Sequence, residues 1–335
     1  ILLVLTILAA FGATAVTLLP SLAATAAHVT MLQRSPSYIL SMPQRDGVAE
    51  RLRAWLPARV AHRIVRMKNV LIALGFYQAA RRWPHAIRRV LIRRAAQQVQ
   101  GHADVARDLT PRYQPWDQRL CLAPGGDIFK ALRGGRAAIV TDEIASFTPR
   151  GLALKSGKTL DADIVVTATG LRVQLMGGAR LRADGKPVDL CDAVAYKGMM
   201  YSDVPNLASI FGYTNASWTL KAELIAQYVC RLINHMNAHD VDTCVPRLRE
   251  GEHGELPAIG LTSGYIQRAA GVLPKQGRRK PWVFYQSYLR DLRLMRWGSV
   301  DDGAMRFERR ATRSVAQATT TRASDTSSAV ATAAR

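Results

Sequence analysis

A glycine between an aliphatic run and a helix-forming segment is the first feature of the sequence that could bind a ligand. Residues 1–8 are aliphatic, Gly12 breaks the run, and residues 13–27 favour a helix. Residues 26–33 are then typical of a second buried strand, so the segment predicts a βαβ unit. The helix N-terminus of such a unit offers free N–H groups and a partial positive charge to a pyrophosphate. The pattern predicts a dinucleotide-binding turn with backbone from Gly12, Ala13 and Thr14.

A basic residue at the end of the second strand indicates which dinucleotide is bound. Arg34 stands where a basic side chain can hold the 2′-phosphate that distinguishes NADP from NAD. Gln33 and Ser35 beside it are neutral hydrogen-bond donors. The alternative is a solvated arginine at a strand end that binds nothing.

The glycine pattern of this turn is incomplete, and other interpretations stay open. The positions that Gly-x-Gly-x-x-Gly/Ala requires are occupied by Ala10, Gly12 and Ala15. Residues 1–27 contain no charged residue, and about 20 apolar residues can span a membrane. A signal peptide is a further alternative, although no basic region precedes the apolar run. The last alternative is that residues 1–27 are an ordinary segment of a protein core.

Histidine and cysteine spacing does not favour a metal site. His235 and His239 lie one helical turn apart, but no glutamate or third ligand is spaced for zinc. The four cysteines form no Cys-x-x-Cys pair, so neither a zinc ribbon nor a disulfide framework is indicated. We therefore predict no metal.

The charge of the chain favours anionic partners. Its 335 residues carry 46 Lys and Arg against 25 Asp and Glu, a net charge of +21. Such an excess attracts phosphates, nucleic acid or lipid headgroups. Residues 45–107 alone hold 14 basic and three acidic residues. Because 48% of the residues are hydrophobic, the chain can build a packed core, and wholesale disorder is excluded.

Hydrophobic periodicity predicts helices and strands in alternation. Residues 45–107 are helical in pattern, with their arginine pairs mainly on the solvated side. Residues 137–170 predict strands and a hairpin, ending in a buried strand at 163–170. Residues 206–213 predict another strand, and residues 218–236 predict a long apolar helix.

Six stretches in this order resemble the flavin-containing and Baeyer–Villiger monooxygenases, in particular their ethionamide-activating branch. They are HVTMLQRSPSY at 28–38, YQPWDQRLC at 113–121, GDIFK at 126–130, ADIVVTATG at 162–170, GYTNASWTLK at 212–221 and LTSGY at 261–265. These stretches are spread over nearly the whole chain from Gly12 to about Phe307.

The resemblance implies an α/β fold with a Rossmann-like NADPH domain, a helical insertion in it, and the C-terminal part of a split FAD domain. The expected organisation is an NADPH-binding domain at 1–170 with its insertion at about 45–125, the FAD-domain part at 171–250, a C-terminal extension at 251–310 and a disordered tail at 311–335. The family's N-terminal FAD-binding glycine motif does not occur in this sequence, which suggests a truncated member.

The resemblance also implies roles for individual residues. Arg119 matches the family's active-site arginine; the alternative is a loop arginine paired with Asp117 or Asp127. Thr169 and Gly170 end a strand in small residues, which permit close approach of a dinucleotide. The helix that begins after Asn215, at about Trp218, would direct its N-terminus at the flavin. Its alternative is an ordinary cap formed by Asn215 or Thr214.

The activity implied by the resemblance is FAD- and NADPH-dependent monooxygenation in the cytoplasm. It would be Baeyer–Villiger oxidation or S-oxygenation through a C4a-peroxyflavin, acting on a small ketone or sulfur-containing substrate. One alternative is a catalytically inactive remnant, and another is a membrane-associated basic helical binding protein. Nucleic acid is not expected as a partner, because aromatic residues are sparse in the basic segment and no groove-reading motif occurs. Peripheral membrane contact stays open.

Overall fold

The computed structural model describes residues 5–10 and 12–309, so the predicted tail at 311–335 lies outside the described residues. The strands are β1 (Leu5–Ala10), β2 (His28–Gln33), β3 (Ile39–Met42), β4 (Cys121–Pro124), β5 (Ala137–Thr141), β6 (Ile144–Thr148), β7 (Gly151–Leu154), β8 (Thr159–Asp161), β9 (Ile164–Ala168), β10 (Leu181–Ala183), β11 (Lys186–Val188), β12 (Ala195–Tyr196), β13 (Met200–Tyr201), β14 (Thr243–Pro246), β15 (Leu256–Pro257), β16 (Lys275–Gln276) and β17 (Met305–Glu308). The α-helices are α1 (Ala13–Thr25), α2 (Gly47–Trp55), α3 (Ala58–Arg82), α4 (Pro84–Val99), α5 (Val105–Asp108), α6 (Asp127–Arg133), α7 (Trp218–Ala238), α8 (Gly264–Arg268) and α9 (Tyr288–Leu292).

A four-stranded parallel sheet in the order β5-β2-β1-β9 organises the first half of the chain. Numbered by their order in the chain, these four strands have the order 3-2-1-4, which occurs in the Rossmann fold. The two central strands are buried on both faces: Leu8 and Val29 pack in one core with α1 and α6, whereas Ile7 packs against Leu152 and Leu154 of the antiparallel sheet β6-β7-β8. The predicted α/β fold and its βαβ unit are confirmed.

The strand at the end of the 137–170 segment differs from its prediction. Within the described part of the chain β9 pairs only with β1, and it lies at an edge of the sheet. Half of Ile164 is exposed, although the apolar run around it predicts a buried strand. The burial of a strand depends on the elements that pack beside it. The amino-acid composition of the strand alone does not predict them.

The helical insertion follows the predicted pattern. The side chain of Asp46 caps α2 by accepting hydrogen bonds from the N–H groups of Val48 and Ala49. Trp83 and Pro84 separate α3 from α4, with proline at the first helical position, where its missing N–H costs nothing. The insertion returns to the sheet through β4 and α6, whose Ile128 and Phe129 are fully buried against α1 and the sheet.

The second half of the chain packs around α7. Its apolar face, which includes Leu224, Ile225 and Tyr228, lies in one core with Trp282 and Met295 from the C-terminal segment. The sequence pattern therefore predicts this helix within two residues of its observed end.

The strand predicted at 206–213 does not form. The segment contains no strand, and its Ile210 is exposed. A strand requires a neighbour for its N–H and C=O groups, and among the described residues none pairs along this segment. The prediction is wrong because pairing is a long-range property, whereas the apolar pattern is local.

Candidate functional site

The turn between β1 and α1 has the geometry of an anion-binding site. Gly12 adopts a φ of 71°, in the left-handed region that favours glycine. Helix α1 starts at once with exposed Ala13 and Thr14, and no side chain caps its first N–H groups. A Cβ added to Gly12 would meet no atom within 4 Å apart from its chain neighbours, so it is the left-handed φ rather than close packing that favours glycine here. The turn can therefore accept a phosphate.

Three strand ends converge at this turn. β1 runs parallel to β2 with Ala9 opposite Leu32, and parallel to β9 with Ala10 opposite Ala168. The carboxyl ends of parallel strands share one edge of the sheet, so three separate segments of the sequence meet there. The predicted residues that this edge brings together are Gly12, Ala13, Thr14, Arg34, Ser35, Thr169 and Gly170.

Arg34 is available for a ligand. It is exposed at the end of β2, and its side chain makes no hydrogen bond or ion pair within residues 5–10 and 12–309. A hydrogen bond from Lys155 holds the pKa of Glu143 below its usual range, and the charge of Arg34 adds to this effect. The guanidinium of Arg34 therefore keeps its hydrogen-bond donors free, while its charge acts on the exposed Glu143.

Gln33 does not belong to this set of donors. Its side chain is buried, and its amide donates to the backbone oxygen of Asp108 at 2.7 Å and to Oγ1 of Thr141 at 2.9 Å. The prediction that it lies free beside Arg34 is wrong, because successive side chains of a strand point to opposite faces.

Arg119 joins the helical insertion to the second half of the chain. Its Nη2 donates to the backbone oxygen of Tyr213 at 2.8 Å and its Nε to that of Thr214 at 3.1 Å. The alternative of a pair with Asp117 or Asp127 is wrong. Asp117 binds Arg81, and Asp127 lies beside Gln44 and Lys130.

The loop that carries Arg119 has unused polar groups. Trp116 adopts a φ of 72° and packs edge-on against Tyr77. Its indole Nε1–H and the Oε1 of Gln114 are buried without a hydrogen-bond partner among the described residues. Buried polar groups are usually paired, so this loop offers one donor and one acceptor to a bound molecule or a water.

A neighbouring segment, residues 213–215, is fixed by side chains that the sequence analysis missed. Oε1 of Gln286 accepts hydrogen bonds from the N–H of Thr214 at 2.9 Å and from its hydroxyl at 3.0 Å. The amide of Asn215 donates to the backbone oxygen of Gln286 at 2.9 Å. The carbonyls that hold Arg119 are thus positioned from the C-terminal segment, and no local motif marks Gln286.

A buried ion pair supports the same segment. Oδ2 of Asp291 accepts from Nζ of Lys221 and from the hydroxyl of Tyr213, both at 2.7 Å. Burial lowers the pKa of Lys221 and raises the pKa of Asp291. One signal could have found Lys221: it stands in the apolar stripe of α7 at helical spacing from Leu224 and Tyr228.

The N-terminus of α7 is open. Ser217 is the N-cap residue, no side chain caps the helix, and its first turn contains no acidic residue. The alternative of a cap by Asn215 or Thr214 is wrong, because Ser217 is the N-cap residue and no side chain accepts a hydrogen bond from the first N–H groups of the helix. Trp218 is half-exposed and packs on Phe211 with ring centroids 5.0 Å apart. This arrangement leaves free N–H groups at the helix end.

We expect the buried thiol of Cys121, in the strand after the Arg119 loop, to make the fold sensitive to alkali. Burial raises the pKa of Cys121 to about 11. Between pH 9 and 11 the unfolded thiol ionises while the folded thiol keeps its proton, so the free energy of unfolding falls. The loss is about 1.4 kcal/mol per pH unit.

This prediction is measured by urea unfolding at pH 8 to 11. Cys121→Ala should show a shallower decline than the unsubstituted protein, whereas Cys230→Ala, at an exposed position, should leave the decline unchanged. Equal declines in all three proteins would contradict the assignment.

Neither a membrane span nor a metal centre is found in the described part of the chain. No helix within residues 5–10 and 12–309 combines the length and apolarity needed to cross a bilayer. The same residues contain no group of three or more His, Cys, Asp and Glu placed to hold a metal ion. His235 and His239 stack on each other with centroids 4.1 Å apart.

Two solved structures with a similar fold bind NADP. One is OTEMO in complex with FAD and NADP, with a TM-score of 0.62 and 14% identity, covering 91% of this chain and 66% of its own. A second is an oxidized steroid monooxygenase bound to NADP, with a TM-score of 0.59 and 15% identity over 91% of this chain and 67% of its own. At such identities they show the fold alone.

The sequence relatives are much nearer. FAD-containing monooxygenase EthA of Mycobacterium tuberculosis strain H37Rv is 51% identical over 300 residues, which are 89% of this chain and 61% of that protein. The probable FAD-binding monooxygenase AlmA of Acinetobacter baylyi is 46% identical over 301 residues, 89% of this chain and 60% of its own. No family model matches the sequence. The chain spans about three fifths of the length of these relatives, and over that span about half of its residues are identical to those of FAD-containing monooxygenases.

Proposed function

We propose that the chain is the NADPH-binding and arginine-bearing part of an FAD- and NADPH-dependent monooxygenase. The observation that supports this most is the meeting of the Gly12 turn, Arg34 and the end of β9 at one edge of the sheet. The proposed organisation is an NADPH domain at 1–170 with its insertion at about 45–125, a C-terminal part of an FAD domain at 171–250 and an extension at 251–310.

The residues at the sheet edge fit NADPH. The left-handed turn at Gly12 and the uncapped N–H groups of Ala13 and Thr14 suit a pyrophosphate. Arg34 has the free guanidinium that a 2′-phosphate needs, with Ser35 beside it. Thr169 and Gly170 would lie against the dinucleotide from the neighbouring strand, whose small residues permit close approach.

The described residues fit FAD only in part. The open N-terminus of α7, with Asn215 and Trp218, offers N–H donors and a partial positive charge to the electron-rich end of a flavin. A second glycine turn of the Gly12 type does not occur in a βαβ unit within residues 5–10 and 12–309. We therefore assign only this helix end to FAD.

When bound, FAD and NADPH would supply the reducing equivalents and the activation of oxygen. The chain itself contributes a fixed positive charge at Arg119. The guanidinium has five N–H donors and cannot lose its charge. Two of its N–H groups donate hydrogen bonds to the carbonyls of Tyr213 and Thr214. The remaining N–H groups are available to stabilise negative charge at the reacting centre.

We propose a small ketone or a sulfur-containing compound as the substrate, in the cytoplasm, on the strength of the family resemblance. The structure offers an apolar cavity of about 30 Å³ beside Phe211 and Phe284. Its lining is almost wholly apolar and carries no group that would identify a substrate.

Purification with FAD and NADPH tests the proposed function. A yellow protein that oxidises NADPH and converts a ketone or a sulfide supports it. A colourless protein that binds neither cofactor would support the alternative of a catalytically inactive remnant.

We expect Arg34→Ala to weaken the binding of NADPH more than that of NADH. The loss should be about 1–3 kcal/mol, because a hydrogen-bonded charge pair with the 2′-phosphate disappears. Titration of both nucleotides by calorimetry measures it. Arg182→Ala, at an exposed arginine of β10, is the matched control and should change neither affinity. If Arg34→Ala weakened the binding of both nucleotides equally, the assignment of Arg34 to the 2′-phosphate would be refuted.

A further inference from the structure

A row of apolar side chains on α3 faces solvent. Val60, Ile64, Met67 and Leu71 recur at helical spacing and therefore share one face. Each of them is 39–50% exposed. At the junction of α2 and α3, Trp55 is 87% exposed, which is more than any other exposed large apolar side chain of the described residues.

This face is not the side by which α3 packs onto the protein. The buried residues of the helix are Ala61, Val65, Val70 and Ala80. The exposed row therefore adds nothing to the core of the described structure, and leaving it in water costs free energy. Scattered single apolar residues need no explanation, but a row of four beside a protruding tryptophan does.

Uncommitted positive charge accompanies the row. Arg51 and Arg53 on α2, and Arg59 and Arg63 on α3, are exposed. None of the four makes an ion pair or hydrogen bond within residues 5–10 and 12–309.

The arginines of α3 flank the apolar row. Arg59 and Arg63 each precede an apolar residue of the row by one position, which places them about 100° around the helix from it. Acidic residues are scarce near this face. Asp46 pairs with Lys68 and caps α2, so the remaining acidic side chain is that of Glu50.

We propose that this α2–α3 face, made of Trp55, Arg51 on the Trp55 side of α2, the apolar row, Arg59 and Arg63, docks on the surface of an anionic lipid membrane. An interfacial helix lies in the membrane plane with apolar side chains among the acyl chains and arginines at the headgroups. Tryptophan prefers this boundary, because its ring is apolar while its N–H is polar.

Other occupants match the face less well. Nucleic acid would bind the arginines but gain nothing from four aliphatic side chains. A second copy would bring like charges together, which costs free energy. The proposal also differs from an apolar N-terminal anchor, because residues 5–10 form a strand and residues 13–25 form a helix that packs on the sheet.

Flotation with vesicles tests the proposal on the chain as it is, without any cofactor. We expect binding to vesicles of phosphatidylcholine that contain about 30 mol% phosphatidylglycerol as the anionic lipid. Binding to vesicles of phosphatidylcholine alone should be weak. The binding should weaken as salt is added, because the Debye length shortens.

Two variants separate the two parts of the face. Replacing Arg51, Arg59 and Arg63 together by glutamine should lower partitioning about 100-fold, since each basic residue near an anionic surface contributes about 1 kcal/mol. Trp55→Ser combined with Leu71→Ser should lower it about 10-fold through lost apolar burial. Because all these side chains are exposed, far-UV circular dichroism and thermal unfolding should stay unchanged.

Matched controls and competing outcomes keep the test decisive. Trp297→Ser, at a tryptophan 66% exposed elsewhere, and Arg182→Gln should bind vesicles as before. The proposal is overturned by equal binding to both vesicle types, by face variants that bind normally, or by binding to DNA that exceeds binding to vesicles. It is also overturned if sedimentation shows a dimer that the face variants abolish, which would make a second copy the occupant.

Discussion

Lys221→Met should lower the free energy of unfolding by about 3–5 kcal/mol, the usual cost of leaving a buried charge without its partner. Lys221 and Asp291 are both fully buried, with Nζ and Oδ2 2.7 Å apart. Methionine keeps the length of the side chain but cannot pair with the carboxylate. Asp291 would then retain a single donor, the hydroxyl of Tyr213. Urea unfolding at neutral pH measures the loss.

The pH dependence of this variant identifies the cause. Burial already raises the pKa of Asp291, and removal of Lys221 should raise it further. A carboxyl that keeps its proton is uncharged and easier to bury, so the deficit of Lys221→Met should shrink as the pH falls from 8 to 5. A deficit independent of pH would mean that lost packing, rather than lost charge pairing, is responsible.

Two further variants complete this prediction. Lys221→Met with Asp291→Leu should recover most of the stability, because no unpaired charge remains. Lys155→Met removes an exposed ion pair with Glu143, whose nitrogen and oxygen lie 2.6 Å apart, and should cost less than about 1 kcal/mol. Equal losses from Lys155→Met and Lys221→Met would contradict the role of burial.

The sequence is sufficient for features that depend on nearby residues. Gly12 between an aliphatic run and a helix-forming segment predicts the βαβ unit, because the turn, the helix and the two strands all lie within 33 residues. Trp83 and Pro84 predict the break between α3 and α4 for the same reason, since proline acts on its own backbone. The ends of α7 follow from a continuous apolar face.

Features that depend on distant residues are not predictable in this way. The segment 206–213 has the composition of a strand, yet strand pairing depends on a neighbour elsewhere in the chain. Arg119 binds two carbonyls about 95 residues away, whereas the sequence suggested a local pair with Asp117. Gln286 positions that segment from 72 residues away, and a glutamine in a loop carries no signal of such a role.

These long-range contacts also explain how the candidate site is held together. The Arg119 loop, the segment 213–215 and the segment around Gln286 are separated in the sequence but joined by hydrogen bonds. A guanidinium held at two points has little freedom, and a fixed charge costs no reorganisation when negative charge develops beside it. The resemblance identifies Arg119, and the structure supplies the reason for its fixed position.

In the flavin-loaded enzyme, Arg119→Ala should lower the rate of oxygenation by about 10²–10³-fold, the usual effect of removing one group that stabilises developing negative charge. The fold should persist, because the substitution loses two hydrogen bonds of about 1 kcal/mol each. Arg119→Lys should rescue little, because an ammonium cannot bind the carbonyls of Tyr213 and Thr214 in the same geometry.

Product formation, NADPH oxidation and urea unfolding are measured together for these variants. A variant that oxidises NADPH without forming product has lost the oxygenation step but not the binding of the nucleotide. Arg182→Ala is the control and should leave all three measurements unchanged. Gln286→Leu removes the acceptor that holds Thr214 and should lower product formation through a displaced Arg119. Full product formation in Arg119→Ala would refute the role of the arginine, whereas a defect confined to Gln286→Leu would place the critical contact at Thr214 itself.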